Sequence, residues 1–136
     1  MSWSESLIKL STYEVEILQK RLAEVRDRRT AAELKLAVLE AEGEAEMARP
    51  DADPMSGLYR AAFMEALRGR KAEARARIAE ILIEEQGARD ALTEAFEQQK
   101  KYEHIAEQAR LLELKAHARR ETAALDEMGL RKKAAR

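Results

Sequence analysis

Few side chains of this 136-residue sequence could do chemistry, and their spacing matches no site motif. There are two histidines, His104 and His117, and no cysteine. Glu113 precedes His117 by four residues rather than the three of a helical di-iron motif, and neither histidine belongs to an HExxH zinc motif. The sequence also lacks a glycine-rich phosphate loop and a G-x-S-x-G nucleophile motif. We therefore predict no enzymatic activity, no metal and no cofactor, and interpret both histidines as solvated helix residues.

The composition favours long helices over a globular core. Charged residues make up 38% of the chain and aromatic residues 4%, so few large side chains could fill a core. Alanine, glutamate, leucine, lysine and arginine dominate, which is typical of coiled coils. Disorder is the alternative, but the aliphatic residues recur with helical spacing and the net charge is only -1. The 25 basic and 26 acidic residues are interspersed, so no nucleic-acid partner is predicted.

The sequence predicts a cytoplasmic protein. The absence of cysteine is compatible with a reducing compartment. The N-terminal residues include acidic side chains and no continuous apolar stretch, so they do not resemble a signal peptide. No segment approaches the roughly 18 apolar residues of a membrane span. We therefore expect a soluble chain that is peripheral to a membrane at most.

Two stretches show heptad spacing, which predicts helices that pack along a narrow seam. The predicted core residues of the first helix are Ile8, Val15, Leu18, Leu22, Val25, Leu36 and Leu39. Those of the second helix are Met64, Ile78, Ile81 and Leu92. The second seam is more polar because Lys71 and Glu85 occupy seam positions. Such residues cost stability but can determine register and partner choice.

Both prolines lie between the two heptad stretches. Pro50 disfavours helical geometry at the residue before it, and Asp53 followed by Pro54 is typical of an N-cap and first helical turn. A short connection of this kind makes consecutive helices antiparallel neighbours. We predict one all-α hairpin domain over 1–136, with helix 1 at about 4–48, a turn at 49–53, helix 2 at about 54–128 and a basic tail at 129–136.

Matching the two seams predicts a register for the hairpin. Leu22 then faces Ile81, and Val25 faces Ile78. The same register places three further pairs opposite each other, namely Leu36 with Leu67, Leu39 with Met64, and Ile8 with Ala95. Helix 2 is the longer helix, so it is expected to overhang from about residue 100. The expected overhang carries exposed apolar residues without an internal partner: Tyr102, Ile105, Leu111, Leu112, Leu114, Leu125 and Met128.

Three segments resemble the flagellar FliJ family and its relatives in the YscO group of type III secretion. "LIKLSTYEVEILQKRLAEV" is similar to the opening helix of the family. "YRAAFMEAL" resembles its aromatic and Phe-Ile-x-x-Leu stretch after the turn, and "YEHIAEQAR" with "LDEMGLRKKA" resembles its C-terminal segment. The resemblance covers nearly the whole chain. It implies a long antiparallel helical hairpin without enzymatic activity.

The resemblance also implies partners. They are the hexameric export ATPase, a membrane protein of the export gate and export chaperones, at the cytoplasmic face of the membrane export apparatus. Phe63 and Leu67 match the gate-binding patch of the family, although Leu67 also belongs to the seam. For the ATPase-binding end we select Tyr102, Ile105, Arg110 and Leu112. The alternative is a structural or self-associating coiled-coil adaptor unrelated to secretion, and the expected state is a monomer or weak dimer.

Overall fold

A computed structural model describes residues 2–50 and 53–135 of the chain. Over these residues the protein has two α-helices and no strand: α1, Trp3–Ala48, with 46 residues, and α2, Pro54–Ala134, with 81 residues. The two helices pack against each other in antiparallel directions, and α2 is the longer. The predicted all-α hairpin is therefore confirmed.

Both helices begin at a polar side chain that binds free backbone N–H groups. Ser2 Oγ accepts a hydrogen bond from the Glu5 backbone N–H at 3.3 Å, and Glu5 Oε2 accepts one from the Ser2 N–H at 3.2 Å. This reciprocal pair is a capping box. At α2, Asp53 Oδ1 accepts from the Ser56 N–H at 2.8 Å, and this bond lowers the pKa of the Asp53 carboxyl. Pro54 occupies the first helical position, where a missing N–H costs nothing.

The two helix ends of the predicted turn agree with the structure, but the predicted tail does not. Of the turn expected at 49–53, Asp51 and Ala52 lie outside the described residues. The basic tail expected from residue 129 is wrong, because α2 continues through Gly129 to Ala134. Basic side chains in the last turn favour the helix by facing its negative end, and Arg131 pairs with Glu127 at 3.0 Å. These favourable interactions offset the loss of helix stability that Gly129 causes.

Contacts divide the chain into two compact units. The terminal unit comprises Met1–Val15 with Glu94–Arg136, and the hairpin unit comprises Glu16–Thr93. Each unit pairs a segment of α1 with a segment of α2. The proposed single domain over 1–136 stays a prediction.

Seam positions form the core of each unit. In the hairpin unit the buried apolar residues are Leu22, Val25, Leu39, Leu67, Ala74, Ile81 and Ala88. Leu18, Leu36, Met64, Ile78 and Leu92 are half-buried there. In the terminal unit Val15 and Ala95 are buried, and Ile8 is half-buried.

The pairing register differs from the predicted one by about one heptad in both units. Leu67, expected opposite Leu36, lies against Gly43, the residue one heptad further along α1. In the terminal unit Gln99 Nε2 donates a hydrogen bond to Thr12 Oγ1 at 3.0 Å. The predicted register would have placed Gln99 near Ser4. The predicted pairs are therefore wrong, although the seam residues themselves form the helix contact.

Polar residues and glycine account for the observed register. Glu85 is 2% exposed, and its carboxylate lies 3.0 Å from Arg29 Nη1, 3.4 Å from Arg26 Nε and 3.2 Å from Arg89 Nη2. A one-heptad shift of about 10 Å would carry Arg26 and Arg29 away and leave the carboxylate buried without its partners on α1. Gly43 adds a steric preference, because its missing side chain makes room for Leu67.

Candidate partner-binding surfaces

The C-terminal part of α2 exposes several large apolar side chains in the terminal unit. Side chains from the start of α1, Ser2 to Ile8, share a groove with α2 residues as far as Glu113. From Glu107 to Ala134 every residue of α2 is exposed. The exposed large apolar residues of this segment, hereafter the α2 extension, are Leu111, Leu112, Leu114, Leu125, Met128 and Leu130. These side chains have no core to enter and are available to a partner.

The shifted register changes the position of the predicted ATPase-binding residues. Tyr102 is half-buried at the helix contact, so the expected overhang from residue 100 is wrong and unpaired helix begins several residues later. Ile105 is 41% exposed at the edge of that contact, and Leu112 is 66% exposed. Arg110 bonds Glu107 at 2.6 Å on the same helix. This hydrogen bond raises the pKa of Arg110 and lowers that of Glu107.

A second apolar surface lies at the start of α2 in the hairpin unit. Met55, Leu58 and Tyr59 are exposed, and together with Ala62 and Phe63 they line a shallow cavity of about 490 Å³. We call these five residues the tip patch. Phe63 is half-buried because it also packs against the core cluster of Leu39, Leu67 and Ala74.

Leu67 does not share this surface. Its side chain is only 1% exposed between the helices, beneath Gly43, and therefore it stabilises the hairpin instead of offering a contact. Sequence analysis missed Met55, Leu58 and Tyr59 as surface residues. Their signal was present, because three large apolar residues precede the first core position of α2 and fall outside the seam.

Arginine side chains hold the tip patch against the end of α1. Arg60 Nη2 donates a hydrogen bond to the Arg49 backbone carbonyl, and Arg60 Nε lies 3.9 Å from Glu46 Oε1. Arg49 Nη1 also lies 3.4 Å from Glu46 Oε2. Glu46 and Arg60 are both half-buried, so these contacts join the last turn of α1 to the second turn of α2.

The histidines lie apart on the surface of α2. His104 is exposed, and His117 Nε2 lies 3.3 Å from Glu121 Oε1 rather than near Glu113. Within 2–50 and 53–135, no three or more histidine, aspartate or glutamate side chains come together in a metal-binding arrangement. Neither described helix combines the length and hydropathy needed to span a bilayer.

The fold and these two surfaces define a class: a two-helix coiled-coil protein with exposed apolar side chains on α2. Comparison with known proteins gives the family. The chain is 48% identical over 132 residues to the flagellar FliJ protein of Caulobacter vibrioides strain NA1000 / CB15N, which covers 97% of this chain and 95% of the relative. The protein of strain ATCC 19089 / CIP 103742 / CB 15 shows the same identity and coverage. The chain belongs to the flagellar FliJ family. No protein-family model matches it, and no solved structure does.

Proposed function

We propose that the protein is a non-enzymatic, stalk-like component of the flagellar type III export apparatus. In this proposal it binds the hexameric export ATPase, promotes its activity, and helps couple it to the export gate and export chaperones at the cytoplasmic face of the membrane. Membership of the flagellar FliJ family supports a role in flagellar export. The observation that carries the proposal is the exposed α2 extension of the terminal unit.

The α2 extension suits insertion into a partner. Most of its residues have high helix propensity, and the ion pairs Arg110–Glu107 and Arg131–Glu127 support the helix near its two ends. A preformed helix loses little conformational entropy on binding, which favours affinity. Burial of an exposed leucine side chain contributes about 1.5–3 kcal/mol. Several leucines on one helix could therefore supply the driving force for docking.

The tip patch supplies a second contact in the proposal. Phe63 is the residue by which the family resemblance links this surface to the export gate. Met55, Leu58 and Tyr59 enlarge that surface around it. An apolar patch of this small size favours transient docking, which suits a protein that couples several partners.

The test is stimulation of the purified export ATPase from the same organism. Replacement of Leu112, Leu114 and Leu125 by alanine should leave helicity and thermal stability nearly unchanged, because these side chains are exposed and alanine is the best helix former. Stimulation of ATP hydrolysis should fall severalfold, because the apolar contacts are removed. A matched control replaces two exposed leucines elsewhere, Leu34 and Leu82, and should stimulate normally.

Two results would contradict the proposal. One is equal stimulation by the triple variant and by the control. The other is a stable dimer of the wild-type chain at micromolar concentration that the triple variant abolishes, since the α2 extension would then be a self-association surface. Light scattering on both proteins measures this second outcome.

A further inference from the structure

A groove opens on one face of the hairpin unit, apart from the tip patch. Its volume is about 350 Å³. Three apolar side chains of the helix contact form its floor: Ala32, Leu39 and Ala74. Four charged side chains surround the floor: Lys35, Arg70, Glu73 and Arg77. We call this feature the basic groove.

The groove exists because two seam positions carry alanine. Seam positions of a coiled coil are normally filled by branched aliphatic side chains that enter holes on the facing helix. Ala32 and Ala74 are too short to do so, and the space beside Leu39 stays open. An open site on a seam loses packing contacts within the chain. The same opening accommodates a small side chain from outside.

The charges around the groove are poorly balanced within the chain. Over the described residues, no carboxylate lies within ion-pair distance of Lys35 or Arg70, and Arg77 pairs with its own helix neighbour Glu80 at 3.3 Å. By contrast, the arginines near Glu84 have a carboxylate partner. Arg21 Nη2 lies 2.7 Å from Glu84 Oε1, and a hydrogen bond from Arg28 to this carboxylate lowers the pKa of Glu84.

We propose that the basic groove binds an acidic amphipathic helix of another protein. Small apolar residues of that helix would enter the space between Ala32 and Ala74, and its carboxylates would meet Lys35 and Arg70. Charge complementarity favours an acidic partner, and the apolar floor favours a helix with one apolar stripe. Glu73 and Glu80 lie among the cations, so a continuous phosphate array of nucleic acid or lipid would meet repulsion. This site goes beyond the proposed contacts of the α2 extension and the tip patch.

The experiment uses a fluorescent designed helical peptide with an alanine and leucine stripe and glutamate elsewhere, and a second peptide with lysine for each glutamate. Anisotropy titrations with the full chain should show binding of the acidic peptide only. The double variant Lys35→Glu, Arg70→Glu should weaken that binding by about tenfold or more and should bind the basic peptide instead. The control variant Lys20→Glu, Arg68→Glu changes the net charge equally on exposed sites outside the groove and should bind like wild type.

A second variant separates the groove from general electrostatics. Ala32→Leu keeps every charge but places a larger side chain in the open space. The expected result is a thermal midpoint that is not lowered and binding of the acidic peptide that is reduced about tenfold, because the small residues of the peptide can no longer enter.

Any of four results would overturn the inference. The first is no binding of the acidic peptide to wild type, and the second is equal loss of binding in the groove and control variants. The third is tighter binding of phosphatidylglycerol vesicles or duplex DNA than of the acidic peptide, with the same loss in the groove variant. The fourth is a dimer of the wild-type chain that the groove variant dissociates. None of these measurements depends on ATPase stimulation, so each is independent of the proposed function.

Discussion

Glu85 of the hairpin unit and Leu112 of the terminal unit reverse the usual relation between polarity and burial. The glutamate is 2% exposed, whereas the leucine is 66% exposed. Glu85 lies at a seam position facing α1, with three arginines around its carboxylate. Leu112 lies on a part of α2 where every neighbouring side chain is exposed. In a two-helix protein, the presence of a facing helix decides burial more than the type of residue does.

The largest expected effect is on the free energy of unfolding, and it compares one leucine substitution in the hairpin unit with one in the terminal unit. Leu67→Ala removes a side chain that is 1% exposed and should lower the free energy of unfolding by about 2–3 kcal/mol, the lower part of the range for core leucines. Leu112→Ala removes the same atoms from an exposed site and should change it by less than about 0.5 kcal/mol. Urea unfolding followed by circular dichroism measures both. Equal effects would show that the α2 extension is packed in solution.

A second prediction concerns Glu85 and the register. Glu85→Leu should stabilise the hairpin by about 1–2 kcal/mol, because an apolar side chain replaces a buried charge whose arginine partners can move to solvent. The same change removes the cost of burying the Glu85 carboxylate without Arg26 and Arg29 in the register that the heptads predict.

Disulfide crosslinking can show which register forms. Because the chain has no cysteine, introduced cysteine pairs report the register. Cysteines at 43 and 67 should crosslink in the wild-type background, and cysteines at 36 and 67 should not.

In the Glu85→Leu background the pair at 36 and 67 should begin to crosslink at the expense of the other. The two α1 positions are one heptad apart, about 10 Å along the helix, so one register cannot serve both pairs. Glu85→Gln is the matched control, because it keeps a polar group and should retain the observed register. Crosslinking only between 43 and 67 in all three backgrounds would show that Glu85 does not determine the register.

The smallest expected effect is the difference in stability between alanine substitutions at Gly69 and at Gly43 of the hairpin unit. Gly69→Ala should raise the free energy of unfolding by up to about 1 kcal/mol, because a Cβ there meets no atom within 4 Å and alanine favours the helix. Gly43→Ala should give no such gain, because its Cβ would lie 2.9 Å from Leu67 Cδ2. Thermal melts of the two variants give the comparison. A gain of equal size at Gly43 would mean that Leu67 moves aside without cost.

The sequence predicted the elements well because their causes are local. Heptad spacing marked the seam residues on both helices, and the Asp53–Pro54 pair marked the start of α2. It predicted the partner surfaces less well. Tyr102, predicted on the overhang, is half-buried, and Leu67, predicted as a contact, is 1% exposed, because the burial of both depends on which residue of α1 faces them. The tip patch was missed except for Phe63, since apolar residues outside a heptad carry no periodic signal.

The sequence by itself determined two long helices, the turn between them and the face of each helix that meets the other. These features follow from propensity, capping and periodicity, which act over a few neighbouring residues. Only the tertiary structure decided the register, and with it which side chains remain exposed on α2. Heptad seams match equally well after a shift of seven residues, so apolar periodicity cannot choose among registers. The choice came from long-range contacts that have no period: Glu85 with Arg26 and Arg29, and Leu67 against Gly43.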